Sequence, residues 1–344
     1  MKNNSALSYD DVLLSPQYSE IRSRSEISTV VDLNKGLALE LPLLASPMDT
    51  VSEASMAAVL SEYGGAAVIH RYNTTQQQVD IVIEARNASS APLKIGVAIG
   101  VTGDYITRAA VMIALKVDFL CVDIAHGHHV LMKEALKTLR ERFGNQIHIM
   151  AGNVATLEGV NDLSDWGADS VRCNIGGGSI CSTRVQTGHG VPGLQTIMDC
   201  AQTDRDVKII ADGGIRNSGD IVKALAAGAD AVMCGSLFAG TDEAPGKVLQ
   251  DKEGHRWKVY RGMASKEAQV DWRGKYSSHE GVSATIPYRG PASAILDELK
   301  RGISSGFSYS GARSLTELQA RAKFVTQTVS GLSEGHTHIL GRKW

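Results

Sequence analysis

The chain has 344 residues, 43% of them apolar, and a formal net charge of −2, which is typical of a globular protein with a large core. Because positive and negative charges are mixed throughout, we expect neither a nucleic acid nor an anionic membrane surface as a partner. No stretch approaches the roughly 20 apolar residues of a membrane helix, and the first residues lack the apolar core of a signal peptide. The cysteines are odd in number and contain no Cys-x-x-Cys pair, which argues against disulfides or zinc and favours a cytoplasmic location: Cys121, Cys173, Cys181, Cys200 and Cys234.

Short apolar runs alternate with helical patterns along the chain, and runs of this kind are typical of parallel strands covered on both faces. Helical spacing of apolar residues appears between them, for example over residues 129–143 and 219–227. Eight strands that alternate with helices indicate either an α/β barrel or a doubly wound sheet. The runs cover residues 41–45, 66–70, 94–99, 119–125, 147–151, 170–175, 208–211 and 231–234.

The barrel is the better prediction, because the count is eight and chemically capable residues follow most of the runs, where barrel active sites are built. Residues 242–290 interrupt the alternation of strands and helices after the eighth run. Their polar, glycine-containing sequence indicates a long irregular segment that acts as a flap or lid. Residues 291–318 return to a helical pattern that closes the barrel. The sequence therefore predicts one (β/α)₈ TIM-barrel domain over residues 1–344, with an inserted flap at 242–290.

The loop after the sixth run, residues 174–184, reads Asn-Ile-Gly-Gly-Gly-Ser-Ile-Cys-Ser-Thr-Arg. Its three glycines allow sharp turns that expose amides to an anion and carbonyls to a monovalent cation. Cys181 lies beside Thr183 and Arg184, and cationic neighbours and oriented backbone dipoles favour a nucleophilic thiolate. The alternative is an inert, buried cysteine in a glycine-rich turn, and the sequence of the loop leaves both open.

The loops after the seventh and eighth runs predict a phosphate site, which is a recurrent feature of these loops in barrels. Asp212 is placed to accept hydrogen bonds from a ribose diol. Its alternative role is to cap the following helix, which Asn217 or Ser218 could do equally well. No Gly-x-Gly-x-x-Gly fingerprint of a dinucleotide-binding sheet follows an early run. The small residues and donors of the phosphate site are Gly213, Gly214, Gly235 and Ser236.

Asp123 and His126 end the fourth run and could face a second ligand. Histidines at 126, 128 and 129 also suggest a metal site. They lack the i, i+4 spacing of a zinc-binding helix, and no carboxylate pattern nearby completes a ligand set, so we do not predict a metal there.

Together these segments resemble the IMP dehydrogenase/GMP reductase family over nearly the whole chain. The resemblance implies a (β/α)₈ barrel, a purine nucleotide substrate and a cytosolic homotetramer. The matching motifs are Tyr9-Asp-Asp-Val-Leu-Leu-Ser-Pro16, Ser46-Pro-Met-Asp-Thr50, Ala151-Gly-Asn-Val-Ala-Thr156, Gly178-Ser-Ile-Cys-Ser-Thr-Arg184, Ala211-Asp-Gly-Gly-Ile215, Gly235-Ser-Leu and Tyr260-Arg-Gly-Met263.

By that resemblance Cys181 attacks C2 of the purine to form a thioimidate, Thr183 assists proton transfer, and Glu280 lies beside the phosphate and base. The resemblance also implies NADPH or NAD as cofactor, contacted by Asp123, His126 and Asn153. It further implies a potassium ion held by the backbone carbonyls of Gly176, Gly178 and Cys181. The substrate would be bound by Ser46, Met48, Ser179, Asp212, Gly214, Gly235, Ser236, Tyr260, Gly262, Met263 and Gly281.

The resemblance leaves two reactions open. The reductase converts GMP and NADPH into IMP and ammonia, whereas the dehydrogenase oxidises IMP with NAD and hydrolyses the adduct to XMP. The dehydrogenase activates water with an Arg-Tyr pair on a long flap, but residues 262–281 are short, and Arg273 and Tyr276 are three apart. The spacing from Tyr276 to Glu280 resembles the reductase, and a Thr183–Glu280 relay could move the proton that ammonia departure requires.

Other segments favour the dehydrogenase, namely residues 46–50, 240–246 and 334–338. We weight the flap more heavily, because it carries the step that differs between the reactions, and the absence of paired regulatory CBS domains is also reductase-like. Asn174 and Gly177 depart from the Gly and Pro usual in the family, and Cys173 replaces a Val-like residue.

Another class of function is a catalytically silent barrel that binds a purine nucleotide. Such a protein would keep the phosphate site and lose the reactive residues, yet Cys181, Thr183 and Glu280 are all present. A barrel aldolase or a flavin enzyme is disfavoured, because no lysine that could form a Schiff base directly follows a run.

Overall fold

The computed structural model of the protein describes residues 5–89, 91–277 and 279–336. Ser278 of the flap, Thr337 and His338 of the C-terminal motif, and the first four residues lie outside these ranges. Before the barrel come three short strands, of which β2 and β3 pair as an antiparallel hairpin. They are β1 (Val12–Leu14), β2 (Val31–Asp32) and β3 (Ala38–Leu39).

Eight parallel strands of the described chain close into a barrel in sequence order, with the last strand paired to the first through Val232 and Leu43. The closed order confirms the predicted (β/α)₈ barrel and excludes the doubly wound sheet, which would have two edges. The strands are β4 (Leu43–Ala45), β5 (Ala66–Ile69), β6 (Ile95–Ile99), β7 (Phe119–Asp123), β8 (His148–Val154), β9 (Ser170–Cys173), β10 (Lys208–Asp212) and β11 (Ala231–Cys234).

Apolar strands form this barrel because both of their faces are covered, by side chains in the interior and by helices outside. Every residue of β5 and β6 is buried. Gly96 is required by close packing, since a Cβ there would lie 2.2 Å from the ring of Phe119.

Amphipathic helices surround the strands, as in α4, where Met132, Leu136 and Leu139 are buried. Thr74 and Asn217 cap α2 and α8 with their side chains. Within the described ranges, every helix falls short of the length and apolarity that a membrane crossing demands. The helices along the barrel are α1 (Ala54–Glu62), α2 (Thr75–Ala88), α3 (Tyr105–Ala114), α4 (Val130–Phe143), α5 (Leu157–Asp165), α6 (Thr183–Thr187), α7 (Gly193–Cys200) and α8 (Ser218–Ala226).

The 242–290 segment is more regular than its sequence indicates. Strands β12 (Leu249–Gln250), β13 (Arg256–Arg261) and β14 (Ser283–Pro287) form an antiparallel sheet, and helix α9 (Lys266–Arg273) lies between the last two. The buried Lys258 ammonium ties this sheet to the loop after β11 by donating to the Thr241 carbonyl at 2.9 Å. The chain then continues through α10 (Ala292–Tyr309), α11 (Leu315–Arg321), β15 (Phe324–Thr326) and α12 (Val329–Glu334).

Candidate active site

A cavity of about 400 Å³ lies at the C-terminal ends of the barrel strands, between their loops and the 242–290 segment. Every predicted site residue except His126 lines it. His126 is exposed on the loop after β7, outside the lining. The residues brought together are Ser46, Met48, Asp123, Asn153, Gly176, Gly178, Ser179, Cys181, Thr183, Asp212, Gly214, Gly235, Ser236, Tyr260, Gly262, Met263, Glu280 and Gly281.

Cys181 differs from the other cysteines in its exposure. It is exposed in the cavity wall, whereas the remaining four are buried. Burial raises the pKa of the Cys121 thiol to about 12 and also raises the pKa of Cys173 and of Cys234. The alternative of a buried Cys181 is therefore wrong, and its nucleophilic role stays a prediction.

Cys181, Thr183 and Glu280 form a continuous chain of polar contacts. The Thr183 hydroxyl lies 3.2 Å from the Cys181 sulfur and donates to Glu280 Oε2 at 2.9 Å. Two backbone hydrogen bonds hold the segment before β14 against the cysteine loop: Ser182 N–H donates to the Glu280 carbonyl at 2.9 Å, and Val282 N–H donates to the Ile180 carbonyl at 3.0 Å. The carboxylate is thus positioned by the backbone as well as by its own hydrogen bond.

Arg184 stabilises the backbone of the cysteine loop, whereas its place near Cys181 in the sequence predicted a cationic neighbour of the thiol. Its guanidinium donates to the Ile175 carbonyl at 3.0 Å and to Asn174 Oδ1 at 3.2 Å, so it braces the start of the loop. Asn174 itself has a φ of 140°, a conformation that favours glycine. Its side chain lies over Gly177, where a Cβ would meet Asn174 Nδ2 at 2.1 Å.

The predicted phosphate site is narrow because several groups approach its glycines. A Cβ on Gly235 would lie 2.9 Å from the Met48 sulfur and 3.0 Å from the Tyr260 hydroxyl. Burial raises the pKa of Tyr260, and the nearby Ser179 side chain opposes that shift. The hydroxyls of Ser179, Ser236 and Tyr260 line the cavity near Gly235, a combination suited to an anion.

The Asp212 carboxylate, at the end of β10, is held by side chains from strands β8 and β9. Its Oδ2 accepts from Asn153 Nδ2 at 2.8 Å and from Arg172 Nε and Nη2 at 3.0 and 2.8 Å. Asn217 Oδ1 caps α8 by accepting from the Asp220 N–H at 2.9 Å. The capping alternative for Asp212 is therefore wrong, and its carboxylate belongs to the cavity wall.

Sequence reasoning missed several cavity residues. Arg172 was not selected as a site residue because it lies inside an apolar run. A charged residue within a buried strand could nevertheless have identified it as functional. Arg71 and Tyr72 directly follow β5, the same position that identified other candidates. The Tyr72 and Trp272 rings stack with centroids 6.0 Å apart, which joins this loop to α9.

The histidines after β7 have separate contacts. His128 Nε2 lies 2.8 Å from Asp162 Oδ2, and His129 Nδ1 accepts from the Leu131 N–H at 3.2 Å. Among the described residues, Asp251, Glu253 and His255 form the one cluster of three or more His, Cys, Asp or Glu side chains whose ligand atoms converge, on an exposed turn beside β12.

Fold and site define a (β/α)₈-barrel protein with an accessible thiol in a cavity at the C-terminal ends of its strands. The model of the IMP dehydrogenase / GMP reductase domain matches residues 6–338. The chain therefore belongs to the IMP dehydrogenase/GMP reductase family, and it is an NAD(P)-dependent oxidoreductase.

Relatives of both kinds match the chain at similar sequence identity. The chain is 31% identical to the inosine-5′-monophosphate dehydrogenase of Nitrosopumilus maritimus, covering 98% of this chain and 99% of the relative. It is also 31% identical to the GMP reductase of Leishmania major, covering 98% and 97%. A crystal structure of a GMP reductase variant from Trypanosoma brucei with guanosine 5′-monophosphate superimposes with a TM-score of 0.92 at 29% identity, over 99% of both chains. Similarity establishes the family and leaves the reaction open.

Proposed function

We propose that this protein is a GMP reductase, which converts GMP and NADPH into IMP, ammonia and NADP through a covalent adduct on Cys181. The observation that carries the proposal is the Cys181–Thr183–Glu280 chain, which places a carboxylate within one hydroxyl of the nucleophile. Arg273 and Tyr276, the nearest equivalents of a water-activating pair, have other neighbours. The Arg273 guanidinium lies 5.9 Å from the Tyr72 ring, and the Lys266 ammonium lies 5.2 Å from the Tyr276 ring.

The residues suit the chemistry of amine expulsion. The Cys181 thiolate forms a bond to C2 of GMP, and the C2 amino group leaves as ammonia once it has received a proton. A protonated Glu280 supplies that proton through Thr183, whose hydroxyl then accepts from the carboxyl group and donates to the leaving amine, and the carboxylate regains a proton from solvent. NADPH, when bound, supplies a hydride to C2. Return of the C–S bonding electrons to Cys181 then releases IMP and regenerates the thiolate.

The proposal assigns the lining residues to two ligands. Ser179, Gly214, Gly235 and Ser236 bind the phosphate, and Asp212 binds the ribose. Asp123 and Asn153 face the cofactor, which is supported by the position of both side chains in the cavity lining beside Arg172 and Asp212. His126 remains a predicted cofactor contact that the cavity lining does not include.

A monovalent cation is also part of the proposal. Carbonyl oxygens at Gly176, Gly178 and Cys181 are hard donors without net charge, which suits potassium better than a divalent ion. The Gly178 carbonyl accepts from the Cys181 N–H at 3.1 Å and retains a second lone pair. We further propose that the chain is a single catalytic domain without CBS domains that works as a cytoplasmic homotetramer.

The alternative is IMP dehydrogenase, which residues 46–50 and 240–246 favour. An absorbance assay at the reduced-nicotinamide band, in potassium buffer, separates the two. Consumption of NADPH with GMP, together with ammonia release, would support the reductase. Formation of NADH and XMP from IMP and NAD would establish the dehydrogenase instead. Nucleotide binding without turnover of either pair would identify a silent barrel.

A further inference from the structure

Arg172 lies between two carboxylates that the proposed function gives to different ligands. It extends from β9, and its side chain is only 7% exposed. Nη1 donates to Asp123 Oδ1 at 2.6 Å, while Nε and Nη2 both donate to Asp212 Oδ2, at 3.0 and 2.8 Å. One guanidinium therefore joins the end of β7 to the end of β10 across the barrel.

Asp123 and Asp212 share the Arg172 guanidinium in a partly buried place, where interactions between charges are strong. Both line the cavity, and their side chains are 20% and 11% exposed. Asp212 receives further support from Asn153, and Asp123 lies 3.5 Å from Arg71. Electrostatic interactions are stronger in such a partly desolvated place than in water, so a change at one carboxylate alters how firmly the guanidinium is held at the other.

We propose that Arg172 is a positioning residue that couples the purine nucleotide site to the nicotinamide site; this inference rests on the proposed function. A ribose bound to Asp212 fixes the carboxylate and, through it, the guanidinium. The Asp123 side of the cavity is then already ordered when the dinucleotide arrives, so the second ligand loses less conformational freedom on binding. Ordering of a shared element by the first ligand produces positive coupling, and by linkage the effect is reciprocal.

A double-mutant cycle read out by GMP binding tests the coupling. Calorimetry gives the Kd of GMP for the parent protein, Asp123→Asn, Arg172→Met and the double variant, each with and without saturating NADP. Asp123 belongs to the other site, yet we expect Asp123→Asn to weaken GMP binding about fivefold in the parent and to have no effect in the Arg172→Met background. Arg172→Met should likewise abolish the tightening of GMP binding by NADP.

Two further variants separate positioning from simple loss of stability. Arg172→Lys keeps the charge but cannot reach both carboxylates in a fork, so we expect it to retain the fold and lose the coupling. Arg140→Met removes another partly buried arginine, paired with Asp169 outside the cavity, and should leave the coupling intact. Additive effects in the cycle, or full coupling in Arg172→Lys, would overturn the inference alone. A parent protein that binds neither GMP nor IMP would overturn the proposed function, and the inference with it.

Discussion

The Thr183 hydroxyl donates to Glu280 Oε2 at 2.9 Å and lies 3.2 Å from the Cys181 sulfur. Thr183 begins the short helix after the cysteine loop, and Glu280 precedes β14 in the 242–290 segment. The contact therefore joins the barrel to the inserted sheet at the reactive thiol. A threonine hydroxyl can donate and accept at once, so it can pass a proton between a carboxyl group and a leaving group.

Glu280→Gln should slow GMP reduction by about 100-fold or more, because an amide cannot supply the proton that ammonia needs to leave. Any residual oxidation of IMP should be affected much less, since that reaction expels no amine. Steady-state rates with both substrate pairs measure the difference. Glu267→Gln, on the exposed first turn of α9, is the matched control and should retain full activity. Equal losses of both reactions in Glu280→Gln would show that Glu280 serves binding only.

Cys181→Ala should abolish turnover and change the Kd of GMP by less than about tenfold, or roughly 1.4 kcal/mol, because the thiol acts in bond formation more than in binding. In the native parent protein, iodoacetamide should label one thiol, Cys181, since the other four are buried. GMP should protect that thiol. Mass spectrometry of tryptic peptides identifies the labelled site, and unchanged turnover in Cys181→Ala would exclude the covalent mechanism.

Asp212→Ala should weaken GMP binding by about 2 kcal/mol, through loss of charge-assisted hydrogen bonds to the ribose. The parent should also discriminate against 2′-deoxy-GMP, and the variant should bind GMP and 2′-deoxy-GMP equally. Comparing the two nucleotides on each protein cancels any general effect of leaving Arg172 without its partner. Discrimination that persists in Asp212→Ala would assign ribose recognition to another residue.

Asn174 and Gly177, which the resemblance aligns with the Gly and Pro usual in the family, lie against each other in the structure. The Asn174 side chain occupies the space over residue 177, where a Cβ would lie 2.1 Å from its Nδ2. Gly177→Ala alone should therefore distort the cysteine loop and lower both stability and turnover. Asn174→Gly combined with Gly177→Pro should recover most of the loss, because it removes the clash and places at 174 a glycine that adopts the positive φ without strain. Additive losses in the double variant would refute the pairing.

Because of the buried His148, we expect the free energy of unfolding to fall in mild acid. Burial lowers its pKa from 6.5 to about 4. Nδ1 lies 3.3 Å from the Asn34 carbonyl and therefore donates, while Nε2 lies 2.7 Å from the Ser170 hydroxyl. Because the folded pKa is lower than the unfolded one, this contribution is complete above pH 6.5 and is lost as the pH falls towards 4, by about 3 kcal/mol.

Chemical denaturation at several pH values measures this dependence. His148→Gln should flatten the free energy of unfolding between pH 6.5 and 4, since the amide keeps a donor and an acceptor but does not titrate. His189→Gln, on an exposed loop, is the matched control and should preserve the slope. An unchanged slope in His148→Gln would assign the acid sensitivity to other groups.

The pattern of apolar residues along the sequence was sufficient to predict most of the barrel strands. All eight apolar runs became barrel strands with small differences in their ends, such as the run at 147–151, which extends to Val154 in β8. The helical pattern at 129–143 was correct, since α4 spans Val130–Phe143 and buries Met132, Leu136 and Leu139 on one face. The inserted sheet was not foreseen, because β13 and β14 carry many polar residues and pair mainly with each other.

The sequence by itself determined the strands, the loops that follow them and the types of reactive residue in those loops. Backbone periodicity and turn composition act over a few residues, so a single chain reveals them. Tertiary structure decided which distant side chains meet. Thr183 and Glu280 are 97 residues apart, and Arg172 reaches Asp123 and Asp212 only because strands β7, β9 and β10 end at the same side of a closed barrel. Barrel closure fixes such distances, and no local pattern encodes it.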